Sequence, residues 1–183
     1  MHQYHIAVIV GSLREASLNR KLADAMAEMA PLDFIFKQIN IGDLPLYNQD
    51  ADAHPSEPVK RLKADIKASQ GLLFVTPEYN RSIPGVLKNA IDHASRPYGD
   101  SAWQGKPAGV IGVSIGAIGT ALAQQHLRNI LAYLDVPTLG QPEAFIHLIE
   151  GFFDEDGKVN PGSKKFIQTW MDSYVAWVRT YAV

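Results

Sequence analysis

Cysteine is absent from the 183 residues. Disulfides, thiolate nucleophiles and cysteine metal sites are excluded together, and with them a stapled secreted scaffold. Charge of one sign is lacking as well: 17 lysines and arginines face 19 aspartates and glutamates, a formal net charge of -2. This balance offers no footing for nucleic acid or for an acidic membrane surface. No stretch approaches the roughly 20 apolar residues of a membrane span. The opening Met1-His2-Gln3-Tyr4 has no basic stretch leading into a long apolar run, so a secretory signal is not visible and the cytoplasm is the expected compartment. The three-glycine dinucleotide fingerprint is missing, and so is a P-loop ending in Gly-Lys-Ser/Thr, which disfavours a nucleotide triphosphatase.

What is present fits one folding unit. Hydrophobic residues make up 46% of the chain, enough for a packed core. At about 100–200 residues per domain, residues 1–183 are expected to form a single domain. Apolar runs predict strands at Tyr4–Val10, Phe34–Ile39, Gly71–Thr76 and Pro107–Val113. An edge-like fifth strand is expected to begin at Val136-Pro137-Thr138, with Phe145–Ile149 as a small strand or extension. Between them, apolar residues recur at three and four. Leu18, Leu22, Ala25, Met26 and Met29 mark a first helix, and Val59, Leu62, Ile66 and Ser69 a second. Val86, Leu87, Ala90, Ile91 and Ala94 mark a third behind Pro84. Leu122, Leu127, Ile130, Leu131 and Leu134 mark a fourth over about Thr120–Tyr133. A last helix over about Gly162–Thr180 turns Phe166, Ile167, Trp170, Tyr174 and Trp177 inward or toward a partner. Strand and helix alternate about five times, the pattern of an α/β protein with helices on both faces of a parallel sheet. The proline-bearing stretch Gly42–Pro58, with four acidic residues, reads as a long surface loop, a kind that is often functional.

In such a sheet, ligands bind beyond the C-terminal ends of the strands. Three strand-to-helix loops qualify. The first, Gly11–Arg20, carries Ser12, Ser17 and Asn19 as hydrogen-bond donors and Arg14 and Arg20 as charges, just before a helix N-terminus. Backbone donors there favour a phosphate; the alternative is a helix cap with surface arginines. The second, Thr76–Ser82, holds Pro77, Glu78, Tyr79, Asn80 and Ser82. Asn80 suits the edge of a planar ligand and Tyr79 its face, while Glu78 reads as solvent-facing or salt-bridged rather than as a catalytic acid. The third, Gly112–Gly119, has Ser114 and the glycines 112, 116 and 119, which permit close backbone approach. Gly112-Val113-Ser114-Ile115-Gly116 also spells a nucleophile elbow, and Asp135 or Asp154 with His147 completes a hydrolase order. The chain is short for that fold, and hydrolysis leaves the other two loops unexplained. The histidines 2, 5, 54, 93, 126 and 147 show no metal-type spacing, so no metal is expected, and His126 reads as a helix-surface or core residue.

Taken together the three loops resemble the NADPH-dependent FMN reductase family, nearest to its bacterial quinone and chromate reductases. The resemblance rests on Gly11-Ser12-Leu13-Arg14 with Ser17-Leu18-Asn19-Arg20, on Pro77-Glu78-Tyr79-Asn80 with Ser82-Ile83-Pro84-Gly85 and Leu87–Asp92, and on Gly112–Gly119 with Ala123-Gln124 and Leu127-Arg128. It implies a flavodoxin-like three-layer sandwich with a five-stranded parallel sheet in order 2-1-3-4-5, and non-covalent FMN. Ser12, Arg14, Ser17, Asn19 and Arg20 would hold the phosphate. Pro77, Glu78, Tyr79 and Asn80 would run along the isoalloxazine ring, helped by Ser82, with Ser114 and Gly116 bordering it. NADPH or NADH would donate electrons, which pass to a quinone or a similar small acceptor such as chromate. No side chain is required as a covalent catalyst. A flavodoxin-like electron carrier is the alternative. The resemblance also implies a homodimer or homotetramer. Arg96, Tyr98, Arg128 and Tyr133 have an interface-like composition, although Tyr133 could instead be core and Arg128 a solvated surface residue. Tyr98 or Trp103 are the candidates for completing a second subunit's flavin pocket.

Overall fold

The computed structural model describes residues 3–181; Met1, His2, Ala182 and Val183 lie outside the described residues. Five parallel strands form one sheet in the order β2-β1-β3-β4-β5, as expected: β1 (Tyr4–Val10), β2 (Phe34–Gln38), β3 (Gly71–Val75), β4 (Ala108–Ser114) and β5 (Phe145–His147). The helices are α1 (Leu18–Met29), α2 (Glu57–Lys67), α3 (Gly85–Ala94), α4 (Ala121–Tyr133) and α5 (Pro161–Tyr181). β3 is buried along its whole length because helices cover both faces of the sheet.

Side chains alternate across the sheet, so each central strand feeds two cores. Ile6, Val8, Leu73, Val75 and Ile111 pack under α1 and α5 against Leu22, Met26, Trp170 and Tyr174. Ala7, Ile9, Leu72, Phe74 and Val110 face α2, α3 and α4 through Leu62, Ile66, Ile91 and Leu127. Tyr174 is wholly buried, and its hydroxyl donates to the Leu72 carbonyl at 2.9 Å. Burial pushes that phenol well above its ordinary pKa.

The fifth strand departs from expectation. Thr138 makes only a single bridge to Ala108, and the strand proper starts at Phe145, paired with the far end of β4 through Gly112↔Phe145 and Ser114↔His147. Pro137 and Pro142 lack the amide proton a ladder needs, so the run breaks between them and resumes three residues long. Leu122 on α4 is exposed, and so is Phe166 on α5, which leaves Phe166 the partner-facing one of its two expected placements. Trp103 is completely buried, with its indole N–H donating to Ile91 O at 3.0 Å, so it cannot reach a second subunit. Tyr98 and Tyr133 are exposed, and Tyr98 carries the Arg96 guanidinium 4.1 Å above its ring. Arg128 is not a solvated surface residue: it is largely buried, donates to Leu139 O at 2.7 Å, and its pKa is lowered by that burial.

Candidate functional site at the C-terminal edge of the sheet

Three strand ends converge on Thr76, which is fully buried just after β3. A Cβ on Gly11 would stand 2.7 Å from the Thr76 hydroxyl, and one on Gly112 only 2.1 Å from its carbonyl oxygen. These two glycines let β1, β3 and β4 end close together, which brings their loops to one place. The loop after β4 turns back at Gly119, whose φ of +62° suits glycine and whose absent Cβ leaves room for the Phe145 backbone.

In the first loop Ser17 caps α1, its Oγ accepting from Arg20 N at 3.3 Å. The Ser12 hydroxyl accepts from Arg14 N at 3.4 Å. Among the described residues the guanidinium groups of Arg14 and Arg20 have neither a carboxylate nor a hydrogen-bond partner, and the first turn of α1 contains no acidic residue. The α1 terminus therefore combines unpaired positive charge, hydroxyls and free amide donors, a fit for a dianionic phosphate. Asn19 is differently employed. It is buried, and its amide clasps β4, donating to Val113 O at 2.9 Å and accepting from Val113 N at 3.0 Å. One amide proton is left over for any ligand.

The second loop is a two-residue hairpin. Tyr79 and Ser82 exchange both backbone bonds at 3.0 Å, with Asn80 (φ 51°) and Arg81 (φ 66°) left-handed at the tip. Asn80 tolerates that conformation; Arg81 does so at a cost. Pro77 leads into the turn and its carbonyl accepts the Thr76 hydroxyl at 2.9 Å. Glu78 turns inward rather than to solvent. Its carboxylate accepts from the backbone N–H groups of Leu122 at 3.0 Å and Ala123 at 3.1 Å, with Arg81 3.7 Å away. It caps α4, whose own N-cap residue Thr120 makes no side-chain cap. Ser82 lies against α4 one turn further on, Oγ 2.9 Å from His126 Nδ1. In the third loop Ser114 Oγ accepts from Gly116 N at 3.1 Å, and a Cβ on Gly116 would meet only that hydroxyl, at 3.5 Å. Asp135 takes Gln104 and Asp154 takes Lys158 N, so neither acid is arranged behind Ser114 as an elbow would require.

Tyr79, Leu13, Ile115 and Ile118 are exposed around this edge. Exposed apolar rims beside polar donors suit a flat, amphipathic ring. The residues present thus match both ends of FMN, the phosphate and the isoalloxazine. Sequence reasoning overlooked the fastening of the hairpin to α4. One signal was available: α4 starts behind Thr120 with no acidic residue in its first turn, so its amide donors needed a remote acceptor.

The loop Gly42–Pro58 starts against Leu13 of the first loop, where a Cβ on Gly42 would stand 3.0 Å from the leucine side chain. It contains a 3-10 turn at Gln49–Ala51, and it is pinned to α3 by Asn89, which accepts from Tyr47 N at 2.8 Å and donates to Pro45 O at 2.8 Å.

Residues 4–151 match the NADPH-dependent FMN reductase family. The chain belongs to that family. A 2-hydroxy-1,4-benzoquinone reductase from a Burkholderia species is 55% identical over 95% of this chain and 96% of its own length. A quinone reductase from Pseudomonas putida is 50% identical over 96% of this chain and 95% of its own. Among solved structures, a flavoenzyme NAD(P)H:(acceptor) oxidoreductase from Paracoccus denitrificans superimposes with a TM-score of 0.94 at 45% identity, covering 98% of this chain and 100% of that one. No helix among the described residues is long and apolar enough to cross a membrane, and no group of potential ligands there could hold a metal ion.

Proposed function

We propose that this protein is an FMN-dependent NAD(P)H:quinone oxidoreductase. The observation that carries the reading is the pair of uncompensated arginines at the acid-free N-terminus of α1, set beside an apolar-rimmed strand edge. Ser12, Arg14, Ser17 and Arg20 would hold the phosphate through hydroxyl, guanidinium and backbone donors, with Asn19 bracing the loop against β4. The backbone of Pro77–Asn80, with Ser82, would line one edge of the ring, and Ser114 and Gly116 the other. Bound FMN supplies the electron chemistry, taking a hydride from a nicotinamide and passing it to the acceptor. The chain's part is to orient the ring, to keep one face open and to aim N–H donors where negative charge gathers on reduction. One open face serves donor and acceptor in turn. Quinones are the acceptor class that the relatives' names support, and chromate is a further acceptor of the same site. A homodimer or homotetramer in the cytoplasm completes the reading, with exposed Tyr98 and Tyr133 at the contact between copies.

The test is an anaerobic visible spectrum of FMN-loaded protein during titration with NADPH and then with a quinone. Bleaching of the flavin band by NADPH and its return with quinone is the expected result. Failure to retain FMN overturns the reading. Retention of FMN without reduction by either NADPH or NADH points instead to an electron carrier.

A further inference from the structure

The hairpin after β3 is fastened to α4 twice. Glu78 caps the first turn through Leu122 and Ala123, and Ser82 meets His126 one turn later. The first fastening satisfies backbone donors that would otherwise be orphaned. The second satisfies nothing that water could not, because His126 is exposed. Its imidazole opens onto a cleft of about 400 Å³ shared with Ser82, Ile83, Lys88 and Asn129. A titratable ring, wet on one side and bonded to a hydroxyl on the hairpin side, has the form of a proton relay.

We infer that Ser82 and His126 deliver the proton that quinone reduction consumes. This rests on the reading of the hairpin as the edge of the flavin site. Reduction of a quinone by NAD(P)H takes one hydride and one proton, giving NAD(P)+ and the hydroquinone. As the hydride adds, the Ser82 hydroxyl gives its proton to the quinone oxygen that gains negative charge, and His126 Nδ1–H restores the hydroxyl as its Nε2 takes up a proton from solvent, so that no imidazolate forms. The charged groups that face it are few. Lys88 on α3 shares the cleft but is held by Asp92 at 2.9 Å, Glu78 on the hairpin is engaged by the α4 amides, and Arg81 lies beside Glu78. None of them is bonded to the Ser82 hydroxyl.

The experiment compares wild type, Ser82→Ala and His126→Asn. Asparagine keeps a hydrogen-bonding atom near the position of Nδ1 but cannot act as an acid. Each FMN-loaded protein is reduced anaerobically and reoxidised either by benzoquinone or by ferricyanide, which takes one electron and no proton. Both variants are expected to react about tenfold more slowly with benzoquinone, the low end of general-acid effects because water is a substitute donor, and His126→Asn is expected to stay within about twofold of wild type with ferricyanide. Equal slowing with both acceptors, or slowing with neither, overturns the relay. A second readout needs no turnover. Phenol, a redox-inert stand-in for the hydroquinone, is expected to shift the His126 imidazole resonances of the oxidised protein and not those of His54, with the shift lost in Ser82→Ala. An unmoved His126 signal overturns the relay even where the enzyme reduces quinones, whereas a wild type that takes up no FMN overturns the functional reading and the relay together.

Discussion

Two regions of the molecule are rich in cations, and only one is left unbalanced. A cavity of about 510 Å³ lies between α2, the end of α3 and the loop that precedes α2, walled by Lys60, Lys63, Lys67, His93 and Arg96. Its three lysines have acidic partners, and Arg96 is held by the hydroxyls of Ser95 and Tyr98. Lys63 and Lys67 converge on Asp100 at 2.7 and 2.5 Å, and Lys60 meets Glu57 at 2.6 Å. The two lysines hold the Asp100 carboxyl down to about 2. At the strand edge, among the described residues, Arg14 and Arg20 have no acidic partner and the helix behind them has no acid in its first turn. On the proposed reading, unanswered charge and free donors mark the ligand site, and void volume does not.

Substitutions can break that comparison at several strengths. The largest effect belongs to Gly112→Ala, since a methyl 2.1 Å from the Thr76 carbonyl forces β3 and β4 apart. A loss of about 3 kcal/mol or more is expected in urea unfolding, whereas Gly116→Ala, whose methyl would make only ordinary contact with Ser114 Oγ at 3.5 Å, should stay within about 0.5 kcal/mol. Next comes Glu78→Gln, which weakens the cap on α4. Thermal unfolding should show a loss of about 1 kcal/mol, because the charge as well as the hydrogen bonds favours a helix N-terminus.

The smallest effect lies in the cavity. Asp100 is half exposed, so Asp100→Asn should cost less than about 1 kcal/mol. The sign of its pH dependence follows from its lowered pKa. A carboxylate depressed on folding stabilises above its unfolded pKa, about 4, and loses that contribution as pH falls toward its folded value. The stability gap between wild type and Asp100→Asn should therefore be full at pH 7 and close between about pH 4 and about 2. A gap that widened on acidification would show that the lysines do not favour the charged Asp100.

Most of the architecture was legible because it rests on short-range signals. Apolar runs bounded by glycine and proline gave β1, β3 and β4, and i, i+3, i+4 stripes gave the helices. For the last strand two places were open, from Val136 and at Phe145–Ile149; the second holds β5, because its pairing depends on where β4 ends and Pro137 and Pro142 mark only where pairing fails. At the site, the residue types at the α1 terminus were readable from order alone. The inward turn of Glu78 and the meeting of Ser82 with His126 were not. Each spans 44 positions, and both depend on α4 returning beside the hairpin, a register that no local pattern carries. Asn19 misled for a related reason: its place before a helix suggests an anion donor, but its partner Val113 is 94 residues away.

The central claim is that FMN is held at the strand edge and not in the lysine-walled cavity. Titration of FMN into apoprotein by flavin fluorescence, for wild type, Arg14→Met and a Lys60→Met/Lys67→Met double variant, tests it most directly. A tenfold or greater loss of affinity is expected for Arg14→Met, about the worth of one charge-assisted contact to phosphate, with the double variant within about twofold of wild type. Weakened binding in the double variant, with Arg14→Met unaffected, would contradict the account and move the cofactor to the other side of α3.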